Sequence, residues 1–377
     1  MKKKKSKKTK KPKKLDQNKN RLLVFLLSLI ITILIIFFAL KKQFDIKNIL
    51  LDLEEQTDLK IELDQNSNLM FYPKIYFLNN NATISHKQSS LLINNSKLEI
   101  IKSYWPFSPF YININSPLIN INGIEVKNSF IKAKYKNKIL TFDNLKGSLV
   151  DGSFHASGKI NFNNKNYFNI KGSFKNISLN TILNQANIAT WERLTVKLSS
   201  NSFNIIGHAK NKHDIVKSLN GKVKISGSAY LLTSEEERFG SALLSLLVEK
   251  LPSIAPLSKS VNFIITTYGN VPTSINGDLI IKDGKISSNN INIDNNFGKS
   301  SMIASLNLLN NIIDGKIIFF ENEKVFLETF LEGNISNPKI LIDGEIFGDK
   351  NEAPRDIKQI FEEGISNLID NLLMINE

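Results

Sequence analysis

Past residue 58 the chain alternates apolar and polar positions over short runs. This period of two predicts β-strands with one greasy face and one wet face. In GSFHASGKINFN (152–163), Phe154, Ala156, Gly158, Ile160 and Phe162 share one face, and Ser153, His155, Ser157, Lys159 and Asn161 share the other. The pattern recurs: Val223, Ile225, Gly227 and Ala229 oppose Lys222, Lys224, Ser226 and Ser228, and Val261, Phe263 and Ile265 oppose Asn262 and Thr266. Ile275, Leu279 and Ile281 oppose Ser274, Asn276, Asp278 and Lys282, while Met302, Ala304, Leu306 and Leu308 oppose Ser305 and Asn307.

Asn-Gly or Asp-Gly pairs stand at 122–123, 151–152, 220–221, 276–277, 283–284, 314–315 and 343–344. Both residues of such a pair tolerate positive φ, so each predicts a tight hairpin turn. Short strands joined by hairpins predict an antiparallel meander. A parallel sheet would need a helix after each strand, and only three or four helical segments are found. They are Asp45–Gln56 (Ile46, Ile49, Leu50, Leu53), a short Ser178–Gln185, Ser234–Lys250 with a Ser234-x-x-Glu237 capping box, and Pro354–Met374. The predicted fold class is mainly β: an N-terminal transmembrane helix, then an elongated antiparallel, curled sheet with a few amphipathic helices.

The membrane segment is LLVFLLSLIITILIIFFAL, Leu22–Leu40: 19 residues without a charge. At ~1.5 Å per residue it reaches roughly 28 Å, close to the hydrocarbon thickness of a bilayer. It exceeds the ~7–15 residues of a signal-peptide core and lacks a small-x-small cleavage site before Lys41 and Lys42. It reads as an uncleaved signal anchor. Residues 1–21 carry 12 Lys or Arg against one acidic residue, Asp16, which orients the tail to the cytoplasm and the body to the far side. The expected organisation is a polybasic tail (1–21), the anchor (22–40), a β-rich body (41–350) and a C-terminal amphipathic helix (351–377).

The charge of +14 sits almost wholly in that tail, for the other 356 residues hold 37 basic and 34 acidic residues. So balanced a body shows no basic stripe of the kind nucleic acid requires. Isoleucine, asparagine, lysine and phenylalanine are used heavily throughout, a bias that removes Asn and Lys abundance as a functional signal. The absence of cysteine excludes disulfides, thiolate catalysis and Cys-based metal sites. The four histidines are His86, His155, His208 and His213, and the last two are five apart, a spacing that suits neither one helix face nor one strand face. Glu235–Glu237 stands in the first turn of a predicted helix, where the dipole favours it. No catalytic or metal constellation and no cofactor is predicted, and the chain reads as a non-enzyme.

Three stretches in this order resemble the AsmA family of envelope proteins. IKNILLDLEEQTDLKIEL followed by FYPKIYFLNNNATIS gives a helix, a strand and a proline-led strand after the anchor. FIITTYGNVPTSINGDLIIKDGKISSNNINIDNNFGKSSMIASLNLLNNIIDGKIIF (263–319) resembles the family's C-terminal succession of strands and hairpins. GNISNPKILIDG (333–344) is similar to its closing G-x-(I/L)-x-(D/N)-P strand. Two features depart from the family: Thr57 is followed by Asp58 rather than glycine, and AlaSerLeuAsn (304–307) replaces a glycine-rich strand.

The resemblance implies a β-groove, apolar inside, on a single-pass inner-membrane protein with a periplasmic body. It implies work in phospholipid transport and outer-membrane biogenesis. Phospholipid or another acyl-chain lipid is the expected ligand, the inner membrane the expected support, and an envelope protein or a second copy the expected partner, with no nucleic acid. The expected groove lining is Phe154, Ala156, Ile160, Val223, Ile225, Val261, Phe263, Ile265, Leu279 and Ile281. Periodicity alone leaves two fates for that face, an open groove or a closed core, and the closed form corresponds to an envelope scaffold or assembly regulator without cargo. About 16 to 20 strands at ~4.8 Å predict a trough of roughly 75–95 Å, too short to bridge two membranes unaided.

Overall fold

The computed structural model describes residues 59–70, 73–86, 91–105, 108–164, 166–185, 194–208, 212–235, 255–335, 339–342 and 355–356, with Thr32, Leu50, Leu51, Glu54 and Glu55. The chain divides into two compact units, Met1–Glu55 and Gln56–Glu377. The five described residues of the first unit are all helical. The expected tail and the rest of the expected anchor and first helix lie outside the described residues. Among the described residues no helix is long and apolar enough to cross a membrane.

Among the described residues the second unit is one 18-stranded sheet. Its first strands are β1 (Leu59–Glu62), β2 (Asn68–Met70), β3 (Ile75–His86), β4 (Leu91–Lys102), β5 (Phe110–Ile121) and β6 (Ile124–Lys136). Next come β7 (Ile139–Leu149), β8 (Gly152–Asn161), β9 (Tyr167–Ser178), β10 (Leu194–His208), β11 (Asn220–Leu231) and β12 (Thr273–Lys282). The last are β13 (Lys285–Asp294), β14 (Lys299–Asn307), β15 (Ile312–Glu321), β16 (Lys324–Asn334), β17 (Lys339–Ile342) and β18 (Arg355–Asp356).

From β3 to β18 each strand pairs antiparallel with its neighbours in sequence. β1 and β2 share the outer edge of β3, β1 beside Thr83–His86 and β2 beside Tyr76–Leu78. The sheet is a long, open meander, as expected from the strand pattern. Counting β1 and β2 as one rank, its contour across the strands is roughly 75 Å at ~4.8 Å per strand.

Alternation decides which face each strand buries. In β6, Val126, Ala133 and Tyr135 are buried while Lys127, Lys132 and Lys136 are exposed. β12 buries Thr273, Ile275 and Ile281 and exposes Ser274, Asn276, Asp278, Ile280 and Lys282.

At Asp151-Gly152 the expected hairpin falls one residue early, on Val150-Asp151 with positive φ at Val150, and Gly152 opens β8; five other expected pairs divide into two groups. Asn122-Gly123 and Asp283-Gly284 have positive φ at both residues, the twist-matched form of a tight hairpin. Asn220-Gly221, Asn276-Gly277 and Asp314-Gly315 lie inside β11, β12 and β15 instead. Gly277 sits where its missing side chain lets the backbone approach Ile291 of β13. Residues 343–344 lie outside the described residues. Two hairpins turn on pairs without glycine, Asn137-Lys138 and Asn322-Glu323, both with positive φ at each residue.

Register irregularities fall along one line of the meander. Two residues face one where Asn128–Ser129 oppose Gly147, where Ser200–Asn201 oppose Ile225, and where Lys175–Asn176 oppose Ser199. Similar insertions fall at Asn80–Asn81 of β3, Asn94–Asn95 of β4 and Ser288–Asn290 of β13. Each such bulge bends and twists its strand. The register aligns them: Ala82 is opposite Ser96, Ser116 opposite Ser129, Gly147 opposite Phe154, Phe154 opposite Phe174, and Phe174 opposite Ser200. Ser96, Ser116, Ser129 and Ser200 are at most 1% exposed, so buried small side chains follow the line of bulges. Three of these hydroxyls donate to nearby carbonyls, Ser96 Oγ to Ala82 O (2.8 Å), Ser116 Oγ to Leu118 O (2.8 Å) and Ser200 Oγ to Ser202 O (2.9 Å), while the buried Ser129 Oγ has no partner. Pro117, mid-strand in β5, stands in the same row, where the ladder is already interrupted.

Three helices of the second unit are described. Leu179–Gln185 is capped by Ser178, whose Oγ accepts the Thr181 N–H at 3.4 Å. This matches the expected start at Ser178. Lys212–Ser218 lies between β10 and β11, and Ala255–Tyr268 lies between β11 and β12. Of the expected Ser234–Lys250 helix only Ser234 and Glu235 are described, and Glu235 is helical. The expected Pro354–Met374 helix lies outside the described residues except at Arg355 and Asp356, which form a strand instead, paired with Ile342 and Leu341 on the last free edge.

Candidate functional site

The apolar face of the sheet is the candidate site, and the register brings seven of the ten expected lining residues onto it. Ala156 is opposite Gly172, Gly172 opposite Phe203, Phe203 opposite Val223, and Val223 opposite Leu279. One apolar row therefore crosses five consecutive strands. A parallel row runs from Gly158 through Ile170, Ile205 and Gly221 to Ile281, and Ile160 faces Phe168 beside it. Phe154 and Ile225 lie on the line of bulges, where Ile225 is 6% exposed.

The face holds together through neighbours in the sheet. Val223, Ile225, Ile275, Ile281 and Ile291 form one buried cluster, joined by Phe174, Phe203 and Leu279. A second unites Ile84, Ile93, Ile119 and Val126 with Phe154 at its margin. Each draws only on consecutive ranks of the meander. Sequence reasoning left out Phe168, Phe174 and Phe203, although YFNIKGSF and SFNII carry the same alternation. The Phe174 and Phe203 rings stand 6.2 Å apart, inside the second half of this face.

Val261, Phe263 and Ile265 are not strand residues. They belong to the Ala255–Tyr268 helix. Pro256 enters at its first turn, where a missing N–H costs nothing, and Thr266 Oγ1 donates back to Asn262 O at 2.7 Å, a bond only a helix allows. The helix lies on the apolar face of β13 and β15–β17. There Phe263 meets Phe326 (4.6 Å between ring centroids) and Phe319 (6.3 Å), and Tyr268 joins Phe319, Leu327 and Ile342 in a buried cluster. Burial pushes the Tyr268 phenol above its ordinary pKa. The alternation at 261–265 was compatible with both periods, and contact with the sheet selects the helix.

The opposite face is polar. Lys97 bonds Glu99 at 2.9 Å, and Asn113 Nδ2 donates to Glu99 at 3.2 Å. The Lys97 bond, aided by Asn113, holds the Glu99 carboxyl below its usual range against the opposing effect of burial. A carboxylate depressed in the fold contributes stability above its unfolded pKa of ~4.3 and loses it as pH falls through the folded value. Glu99→Gln should therefore flatten the loss of stability on acidification. Denaturant midpoints of both proteins at neutral pH and at about pH 3 check this, and parallel acid losses would count against it.

His155 is exposed on this face. His208 packs edge-on against Tyr167 at 5.6 Å, and its buried Nδ1 has no hydrogen-bond partner. Among the described residues no three His, Cys, Asp or Glu gather as a metal site. No family model, no curated protein and no solved structure matches this chain.

Proposed function

We propose that this chain is a membrane-anchored lipid-handling protein of the AsmA type, its apolar face lodging acyl chains in a groove, on an inner-membrane anchor at 22–40 with a periplasmic body. The observation that carries the reading is the uninterrupted apolar row Ala156–Gly172–Phe203–Val223–Leu279 across five strands. A hydrocarbon chain requires no directional partner, only contiguous apolar surface worth ~0.8 kcal/mol per buried CH₂. Such a protein needs no catalytic cluster. The contribution to phospholipid transport and outer-membrane biogenesis, the AsmA kinship and the curled, open form of the groove belong to this proposal.

A second reading, a scaffold without cargo, is favoured over β13–β17 by the Ala255–Tyr268 helix, whose own side chains fill that part of the face.

The test is the lipid content of the full chain, extracted from membranes in a non-ionic detergent and measured by mass spectrometry. Phospholipid should co-purify. Leu279→Trp, which fills half-buried apolar space without burying a charge, should lower lipid per protein several-fold with the β signal in circular dichroism intact. Lys222→Glu on the opposite face should not. A preparation free of lipid, or equal lipid in all three proteins, defeats the reading.

A further inference from the structure

The near-neutral body is an average over two opposed regions. Residues 124–231 hold 17 basic and 5 acidic residues, while the remainder beyond residue 21 holds 20 basic and 29 acidic. A uniform compositional bias toward lysine cannot produce such a reversal. Strands β6–β11 span this segment and carry 11 lysines against two carboxylates, Glu125 and Asp143. Alternation sends the lysines to the polar face, and Asp143 is engaged by Lys134 at 2.8 Å.

At the row of bulges a depression of about 640 Å³ opens between β6 and β10. Its polar lining includes Lys146, Lys175 and His155 together with Ser148, Ser153 and Ser173, and no carboxylate contributes to it. The register explains the gathering. His155 stands between Lys146 and Ser173, and Ser153 stands between Ser148 and Lys175, on three adjacent strands. Lys146 Nζ lies over the Phe130 ring at 5.4 Å, a contact that fixes where its ammonium sits. Two ammonium groups, an imidazole and several hydroxyls offer converging donors to a tetrahedral oxyanion.

We propose that this depression is a binding site for a phosphate-bearing group, held by Lys146 and Lys175 with His155 and the neighbouring serines. Phe154 and Phe174 of the apolar face also line it, but its polar groups occupy the alternate positions of β7–β9 and Leu279 is not among its lining residues, so it is tested apart from the lipid-tail reading. The same chemistry serves a phospholipid headgroup or free phosphate.

Titration calorimetry on the full chain in non-ionic detergent distinguishes them, using inorganic phosphate and a short-chain phosphatidylglycerol below its micellar concentration. Saturable binding of either probe supports the site, and binding of the lipid alone identifies a headgroup. Lys146→Gln and Lys175→Gln should each weaken it by at least roughly tenfold, as expected for loss of a charged hydrogen bond. Leu279→Trp should leave it unchanged, which separates failure here from failure of the groove. Binding of neither probe, binding that both glutamine variants retain, or equal affinity for a single-stranded oligonucleotide overturns the proposal.

Discussion

Leu327→Ala should lower the stability of the sheet unit by about 2–5 kcal/mol, the cost of a cavity in a packed site. Leu327 is 1% exposed, on β16, in the cluster with Tyr268, Phe319 and Ile342. Phe263 and Ile264 of the Ala255–Tyr268 helix pack against the same cluster. The site is enclosed between a helix and a sheet, and the aromatic rings around it cannot collapse far into a hole. Lost transfer energy and the residual cavity therefore add. Ile340→Ala on the neighbouring β17 is the control, because Ile340 is 41% exposed and its truncation should cost under about 1 kcal/mol. Guanidinium unfolding followed by circular dichroism measures both. Near-equal midpoints for the two variants would mean that the helix does not seal this part of the sheet.

How much of this was legible in the sequence depends on the scale of the signal. Strand alternation is local, and it placed Phe154, Ala156, Ile160, Val223, Ile225, Leu279 and Ile281 on one face, as the register has them. The helix at Ala255–Tyr268 was misread because Val261, Ile264, Ile265, Thr266 and Thr267 are β-branched residues that favour strands. Its packing against Phe319 and Phe326 overrides that preference. The turn signal failed in both directions for one reason. Glycine serves a strand wherever backbone approaches backbone, as at Gly277, and asparagine alone can open a hairpin, as at Asn137 and Asn322. The basic depression was hidden by averaging charge over 356 residues, since only the pairing of β7, β8 and β9 sets Lys146 and Lys175 around His155. The row of bulges had a faint local trace, the mid-strand pairs Asn80-Asn81, Asn94-Asn95, Asn128-Ser129 and Asn289-Asn290. Their alignment is a property of register and cannot be read from any one strand.

Replacing Asn95, Asn128 and Asn176 together by valine should destabilise the sheet unit by about 3–6 kcal/mol, against the expectation from strand propensity. All three are mid-strand residues with φ of 50°, 50° and 54°. An L-residue in that region costs roughly 1–2 kcal/mol, least for asparagine and most for a β-branched side chain. They stand on β4, β6 and β9, so their effects should add. The glycine triple variant separates backbone strain from lost side-chain contacts. It keeps the left-handed conformation and should remain within about 1 kcal/mol of the parent. In straight strands valine would outperform both asparagine and glycine. The order of the three denaturation midpoints thus tests whether the bulges are built into the fold. A valine variant at least as stable as the parent would mean straight strands. A bulge lost from a strand would also slip its register by one residue beyond that point and carry its apolar side chains to the lysine face. The same three asparagines therefore keep the greasy rows and the lysines on opposite sides of one sheet.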